Sequence, residues 1–389
     1  MRNMNKRRII TLLAAALFFF AGCMQKKPVS YQETGFTAVI VSDLHFTEKK
    51  DTLNTIVPLM SNAAECISAM MDEVTALHPD ALIITGDNTN SGSDSDEKAL
   101  AKILDRVKKA GIAVVMTTGN HDFNQASVQT YEKNFMPLAD CHSRDEASLS
   151  HSVLRNGVLM LAMDDSSGTG GNGAAFPSQT MQWLKDQLKE ADTNRWIPLF
   201  LSHHSVLSPY GSSYTISNPD LFQTLEQGGV RLCFTGHQHG QAHLEKGNMQ
   251  EIISAMPLNG AHLYGVLKIN DAGMHYQTHS FDFRTYATED LYRIISDADE
   301  TAAAHTRETF EKLLDERGCT GEAQAQAVEM VTRMFSAMAR GTLGSEADEI
   351  RNMPMYEETL RLLADTNYGP WMKSLMEHPA DADHLEIEF

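Results

Sequence analysis

From Phe36 onward the chain alternates short apolar runs with longer amphipathic ones. Residues 38–41, 81–84 and 112–116 are β-branched stretches bounded by polar loops, too short for helices, and predict buried strands. Between them, residues 62–77 carry Ala63, Ile67, Met70, Val74 and Leu77 on one helical face. Residues 97–110 do the same with Leu100, Ile103, Leu104 and Val107, and Gly111 supplies a C-terminal stop. This β-α-β-α-β alternation predicts an α/β domain.

Further along the character changes. Residues 149–154 and 158–163 flank Asn156-Gly157, a hairpin turn signal. A Gly- and Ser-rich loop at 166–173 precedes a predicted helix over 179–191 with Trp183, Leu184 and Leu188. Strands are predicted at 197–201 and 230–234, and a run of antiparallel strands over 250–283. Mixed strands in this order predict two mixed sheets packed face to face with helices outside, a four-layer αββα sandwich. After about Tyr286 the strand pattern stops, and 289–317, 322–340, 345–365 and 369–378 predict helices broken at Gly318, Gly341 and Pro354. This C-terminal helical domain is long enough to bury a modest core, with Met330, Met334 and Met338 at helical spacing inside it. No internal repeat is evident.

The N-terminus reads as a targeting segment. Arg2, Lys6, Arg7 and Arg8 precede an apolar run over 9–21, shorter than the roughly 20 residues that cross a bilayer. It ends in Phe20-Ala21-Gly22-Cys23, which resembles the lipobox of bacterial lipoproteins. The resemblance implies lipidation at Cys23 and a membrane-anchored protein in the bacterial cell envelope, facing outside the cytoplasm. An ordinary cleaved signal with an incidental cysteine is the alternative. The expected organisation is a signal peptide over 1–22, a tether over 23–35, a main domain over 36–285 and the helical domain over 286–389.

Composition narrows the partners. The chain has 389 residues, 42% hydrophobic and 21% charged, an ordinary globular balance. Its net charge of −19 would become −23 on cleavage; so acidic a chain repels polyanions, and no nucleic acid polymer is expected as a partner. A buried metal centre would still attract a small phosphate ester locally. Cys66, Cys141, Cys233 and Cys319 are spaced neither as a disulfide framework nor as a zinc ribbon, and Cys233 lies in an apolar run that suits a core.

Five groups of metal-capable side chains each follow a predicted strand: Ser42-Asp43-Leu44-His45, Thr85-Gly86-Asp87-Asn88, Gly119-Asn120-His121-Asp122, His203-His204 and Gly236-His237-Gln238-His239. In open α/β sheets ligands bind beyond the carboxyl ends of strands, so these groups converge on one rim. In an extended segment residues i and i+2 point the same way, so Asp43 with His45, and His237 with His239, reach shared ions. Gly86, Gly119 and Gly236 permit sharp turns and close backbone approach. Imidazole with carboxylate suits Mn, Fe or Zn. Taken singly, an Asp-x-His or a Gly-Asp is commonplace on surfaces and in cores; five such groups in order, each at a strand end, are not.

That ordered set resembles the calcineurin-like metallophosphoesterase family, whose pattern is D-x-H, G-D, G-N-H-D/E, H and G-H-x-H, over roughly residues 36–283. The layout is similar to the bacterial class III cyclic-nucleotide phosphodiesterases, including lipoprotein-type members with a helical C-terminal extension. The resemblance implies that Asp43, His45 and His239 bind one metal, Asn120, His203 and His237 the other, and that Asp87 bridges both. It also implies a metal-bridging hydroxide attacking phosphorus in line, with His121 as the non-ligand histidine that donates a proton to the leaving oxygen or bonds a phosphoryl oxygen. The implied activity is a phosphodiesterase on small nucleotides, cyclic ones among them. A phosphomonoesterase or nucleotidase on the same centre is the alternative, and an inactive scaffold a third reading that the full set of ligand types disfavours. Ser205 stands where the family often has proline, which leaves the ligand open between His203 and His204, with the first histidine after the strand favoured. Asp122 is expected to support its turn or orient a histidine, Asn88 and Asn124 to orient substrate or water, His243 to lie at the surface or beside the last motif, and His151 to be structural. The 168–173 loop is expected at the rim of the substrate mouth.

Overall fold

A computed structural model describes residues 35–49, 58–169, 174–208, 215–377 and 379–389. The expected signal peptide, Cys23, the tether up to residue 34 and most of the 168–173 loop lie outside the described residues.

The chain begins with strand β1 (Phe36–Val41), then helix α1 (Ala63–Leu77), β2 (Ala81–Thr85), α2 (Asp94–Lys109), β3 (Ala113–Thr117) and α3 (Val128–Phe135). Next come β4 (Ser143–Arg144), β5 (His151–Arg155), β6 (Val158–Ala162), α4 (Ser178–Asn194), β7 (Ile197–Leu201), α5 (Leu221–Gln227), β8 (Leu232–Thr235), β9 (Ala242–Lys246), β10 (Met249–Ile253), β11 (Leu263–Asn270) and β12 (Gly273–Ser280). Helices α6 (Phe283–Tyr286), α7 (Glu289–Asp315), α8 (Gly321–Arg340), α9 (Leu343–Arg351), α10 (Tyr356–Leu362) and α11 (Tyr368–Glu377) lead to a final strand, β13 (His384–Glu388).

The strands form two mixed sheets, in the orders β13-β12-β11-β1-β2-β3 and β4-β5-β6-β7-β8-β10-β9. Their period of two sorts side chains into three apolar layers. Ala38, Ile40, Ile83 and Val115 of the first sheet meet Met160, Leu199, Leu201, Phe234 and Ile252 of the second between the sheets. The alternate residues Val39, Val41, Leu82 and Ile84 turn outward against Ile67, Met70 and Val74 of α1 and Leu100, Leu104 and Val107 of α2. Leu159, Leu161 and Phe200 turn the other way, against Leu184 and Leu188 of α4. Helix, sheet, sheet, helix is thus the order of layers. A separate core of Phe310, Leu314, Met330, Met334, Ile350 and Met372 lies among the C-terminal helices.

Several elements differ from those expected. The 250–283 run divides: β10 joins the second sheet, parallel to β8, whereas β11 and β12 pair antiparallel in the first. The 345–365 helix does break near Pro354 as expected, into α9 and α10, with Met355 at a φ of 67°. The segment after Tyr286 is not helical to its end. β13 pairs antiparallel with β12, setting Leu385 opposite Tyr276 and Ile387 opposite Met274, and so covers an edge that would otherwise stay open. The short elements α3, α5, β4 and β9 were not expected. The Asn156-Gly157 turn is a hairpin turn, with φ of 47° and 76°. Cys66, Cys141, Cys233 and Cys319 are free. No helix among the described residues is long and apolar enough to cross a membrane.

Candidate metal centre

β1, β2, β3, β7 and β8 end at the same rim, and the backbone beyond them is unusual. Ten non-glycine residues among those described have positive φ, and five are Asp43 (51°), His45 (43°), Asp87 (46°), His237 (66°) and His239 (57°). This conformation costs an L-residue about 1–3 kcal/mol and persists only where surrounding structure enforces it. Asp43 and His45 therefore do not share a direction because the chain is extended, as the spacing suggested. Both lie in the left-handed region, with Leu44 between them buried. Backbone bonds carry the β1–β2 pairing past the strand ends and fix the turn: Asp43 N–H donates to the Gly86 carbonyl (3.1 Å) and His45 N–H to the Asp87 carbonyl (2.9 Å).

The glycines give room. A Cβ on Gly236 would fall 1.9 Å from Ser42 Oγ and 2.5 Å from Asp43 Oδ2, and one on Gly119 would fall 2.1 Å from the Asp87 nitrogen. One on Gly86 would fall 2.6 Å from His203 Nδ1.

Two groups of ligand atoms result, each within 4.8 Å of one another: Asp43, His45, Asp87 and His239, and Asp87, His203 and His237. In the first, His45 Nε2 lies 3.1 Å from His239 Nε2 and 3.5 Å from Asp87 Oδ2, and His239 Nε2 lies 3.4 Å from Asp43 Oδ1. In the second, His203 Nε2 lies 3.3 Å from Asp87 Oδ2, 3.3 Å from His237 Nδ1 and 3.2 Å from Asn120 Oδ1. Asp87 belongs to both.

Neighbouring groups orient these side chains. His203 Nδ1–H donates to the Thr85 carbonyl (2.9 Å), which turns Nε2 into the cluster. His204 turns away, its Nδ1–H donating to Asp165 Oδ1 (3.1 Å). Asp165 also accepts the backbone N–H groups of His203 (3.1 Å) and His204 (2.8 Å). Asp165 did not figure in the sequence reading; its signal was an acidic pair, Asp164-Asp165, just past a strand end. Asp164 accepts from Thr118 Oγ1 (2.7 Å) and so joins the loop after β3 to β6.

His121 lies outside both groups. Its N–H donates to Asp87 Oδ1 (2.8 Å), its Nδ1–H donates to the Asn90 carbonyl (2.9 Å), and its ring meets His45 edge-on at 4.6 Å. Asp122 is wholly buried and accepts Asn88 N–H and Nδ2–H, Thr89 N–H and Oγ1–H, and Gly119 N–H. Asn88 is buried in that knot, bonded also to the Thr117 carbonyl. Asn124 is exposed. His243 bonds Gln250 on the edge pair of β9 and β10, and His151 is buried in β5.

Burial and mutual charge dominate the electrostatics. Burial raises Asp43 despite the nearby His203 and His239, and lowers His45 to about 3. Burial would also raise Asp87, but His203 and His45 hold it below the usual carboxylate range. His203 rises to about 10, because Asp87 and Asp43 outweigh its desolvation. Burial and the charge of Asp87 raise Asp122 to about 6.

The donor set fits a pair of cations. Asp87 Oδ2 is buried and accepts no hydrogen bond, although the Nε2 atoms of two histidines lie within 3.5 Å of it. An orphaned carboxylate oxygen between two nitrogen-rich groups is a costly arrangement that a bridged cation would satisfy. Mixed imidazole and carboxylate donors suit transition-metal ions or zinc.

The family model described as calcineurin-like phosphoesterase matches residues 36–241. A probable cyclic nucleotide phosphodiesterase of Vesicomyosocius okutanii subsp. Calyptogena okutanii (strain HA) is 21% identical over 216 residues, covering 54% of this chain and 82% of that protein. A dimetal phosphatase from Danio rerio is similar in structure, with a TM-score of 0.51 at 15% identity over 64% of this chain and 97% of that one. At that identity the likeness is one of fold.

Proposed function

The chain belongs to the calcineurin-like phosphoesterase family, and on that premise we propose that it hydrolyses phosphodiester bonds of small nucleotides, cyclic nucleotides included. The observation that carries the proposal is the pair of ligand groups sharing Asp87, with its Oδ2 buried and unbonded between them. In this reading Asp43, His45 and His239 hold one ion, Asn120, His203 and His237 the other, and Asp87 spans both. Mn, Fe or Zn suits these donors. When bound, two such ions supply positive charge for the phosphoryl oxygens and acidify a water for in-line attack.

The chain's own residues prepare the rest. Asp87 Oδ1 accepts the His121 N–H and so sets that residue beside the site, while the Asn90 carbonyl accepts the hydrogen bond from Nδ1–H. Nε2 is then the atom left to give a proton to the departing oxygen, a role typically worth about 10²–10⁴-fold. Support for a diester comes from the relative described as a probable cyclic nucleotide phosphodiesterase. The test compares bis(p-nitrophenyl) phosphate with p-nitrophenyl phosphate on metal-stripped and Mn-reloaded protein, followed by a panel of cyclic nucleotides. Faster diester cleavage that returns with Mn is expected. Monoester preference would move the assignment to a phosphatase or nucleotidase.

We propose also that Cys23 is lipidated and anchors the protein in the bacterial envelope. The basic start, the short apolar run and Ala21-Gly22-Cys23 support this. Labelling cells with an alkyne fatty acid should tag the wild type and not Cys23→Ser; equal labelling of both would reject the anchor.

A further inference from the structure

His237 and His239 occupy a turn with little burial of its own. Between Thr235 and Gln241 no side chain is buried, and the His239 side chain is 40% exposed. Both histidines hold left-handed backbone, which only neighbouring structure can enforce. Gln241 is the first side chain past the turn that is buried. Its amide joins three remote segments. Nε2–H donates to the Ala382 carbonyl (2.8 Å) and the Tyr276 hydroxyl (3.1 Å), and Oε1 accepts the Ala255 N–H (3.2 Å). The next residue, Met256, donates its N–H to the His239 carbonyl (3.2 Å), so what Oε1 holds in turn holds the ligand backbone.

The other side of the contact belongs to the C-terminal unit. Ala382 and Asp383 donate their N–H groups to the Gly341 carbonyl (2.7 and 3.2 Å). Gly341 caps α8 in the left-handed region, and a Cβ on it would lie 2.9 Å from Gln241 Cγ. The end of α8, the approach to β13 and the histidine turn therefore close on one amide. All but the turn lies beyond the residues the family model matches.

We infer that Gln241 is a positioning residue through which the C-terminal helices and last strand hold His237 and His239 in ligating geometry. The C-terminal unit is in this sense part of the metal centre and not a dispensable module. The inference rests on the assignment of both histidines as ligands. Loss of a group that orients a ligand typically weakens metal affinity by about 10–100-fold.

The experiment titrates metal-stripped full-length protein with Mn²⁺ and follows amide hydrogen exchange over residues 237–242. The wild type is compared with Gln241→Leu, Gly341→Ala and Arg317→Ala; the last removes the Arg317–Asp365 pair and the Arg317 bond to the Leu313 carbonyl, both within the helical unit. Gln241→Leu and Gly341→Ala should bind Mn²⁺ about 10–100-fold more weakly and exchange faster across the turn, with turnover of Gln241→Leu restored by excess Mn²⁺. Arg317→Ala should match the wild type. Should Gly341→Ala lose helix by circular dichroism, Gln241→Leu alone decides. Wild-type affinity and wild-type exchange in Gln241→Leu would overturn the inference. A wild type that takes up no Mn²⁺ would instead remove the metal assignment, and exchange over 237–242 would still decide whether Gln241 anchors the turn.

Discussion

Asp122 offers the sharpest separation of a ligand from a support. It sits in the same Gly-Asn-His-Asp run as Asn120 and His121, yet it lies in neither ligand group. Instead five donors converge on its two oxygens at 2.8–3.3 Å, three of them backbone N–H groups of Asn88, Thr89 and Gly119. Replacing Asp122 by alanine leaves those three buried N–H groups without an acceptor. Each such group costs about 1–3 kcal/mol. Some relief from local relaxation leaves an expected loss of about 3–5 kcal/mol, large for a single substitution. The assay is urea unfolding followed by fluorescence, with and without chelator. Because the lost bonds lie within the protein, the destabilisation should be the same in both conditions. A loss below about 1 kcal/mol, or one seen only when metal is present, would refute the knot and make Asp122 a metal-dependent residue.

Three further outcomes follow from the same geometry. Gly236→Ala puts a Cβ against Ser42 Oγ and Asp43 Oδ2, so Mn²⁺ affinity by titration should fall by about 10–100-fold or more; unchanged affinity would mean the two turns need not approach so closely. His121→Ala should keep its metal content by elemental analysis while turnover drops by about 10²–10⁴-fold, and full activity would end its proton-donor role. Glu97 is buried with Oε1 unbonded, and burial raises it from 4.5 to about 7. The folded state thus binds the proton more tightly than the unfolded one, and its stabilising effect is lost as pH rises from about 4.5 through about 7. Glu97→Gln should therefore gain on the wild type with rising pH, by about 1–2 kcal/mol at pH 8 after allowance for solvent screening; a pH-independent difference in urea midpoints would contradict this.

Much of the fold and most of the site were legible in the sequence because their signals are local. Buried strands such as β7 show as unbroken apolar runs, and the metal-capable residues lie just past the ends of such runs, where side chains leave the core and face a rim. Residues whose role depends on a remote partner were not legible. Asp165 stands 38 residues from His203, and no spacing rule links them. β13 carries its alternation in only five residues, and its meaning depends on an open edge of β12 more than a hundred residues earlier.

Neighbours in sequence were separable only weakly. His203 and His204 are chemically identical and adjacent, so local pattern ranks them only weakly. The Thr85 carbonyl and the Asp165 carboxylate separate them, each fixing one ring nitrogen. The sequence by itself determined which residue types arrive at the rim, since strand length and polar punctuation are properties of contiguous chain. Tertiary structure alone decided how they face. The left-handed turns at Asp43, His45, Asp87, His237 and His239 are unfavourable in isolation, and contacts from distant segments are what hold them.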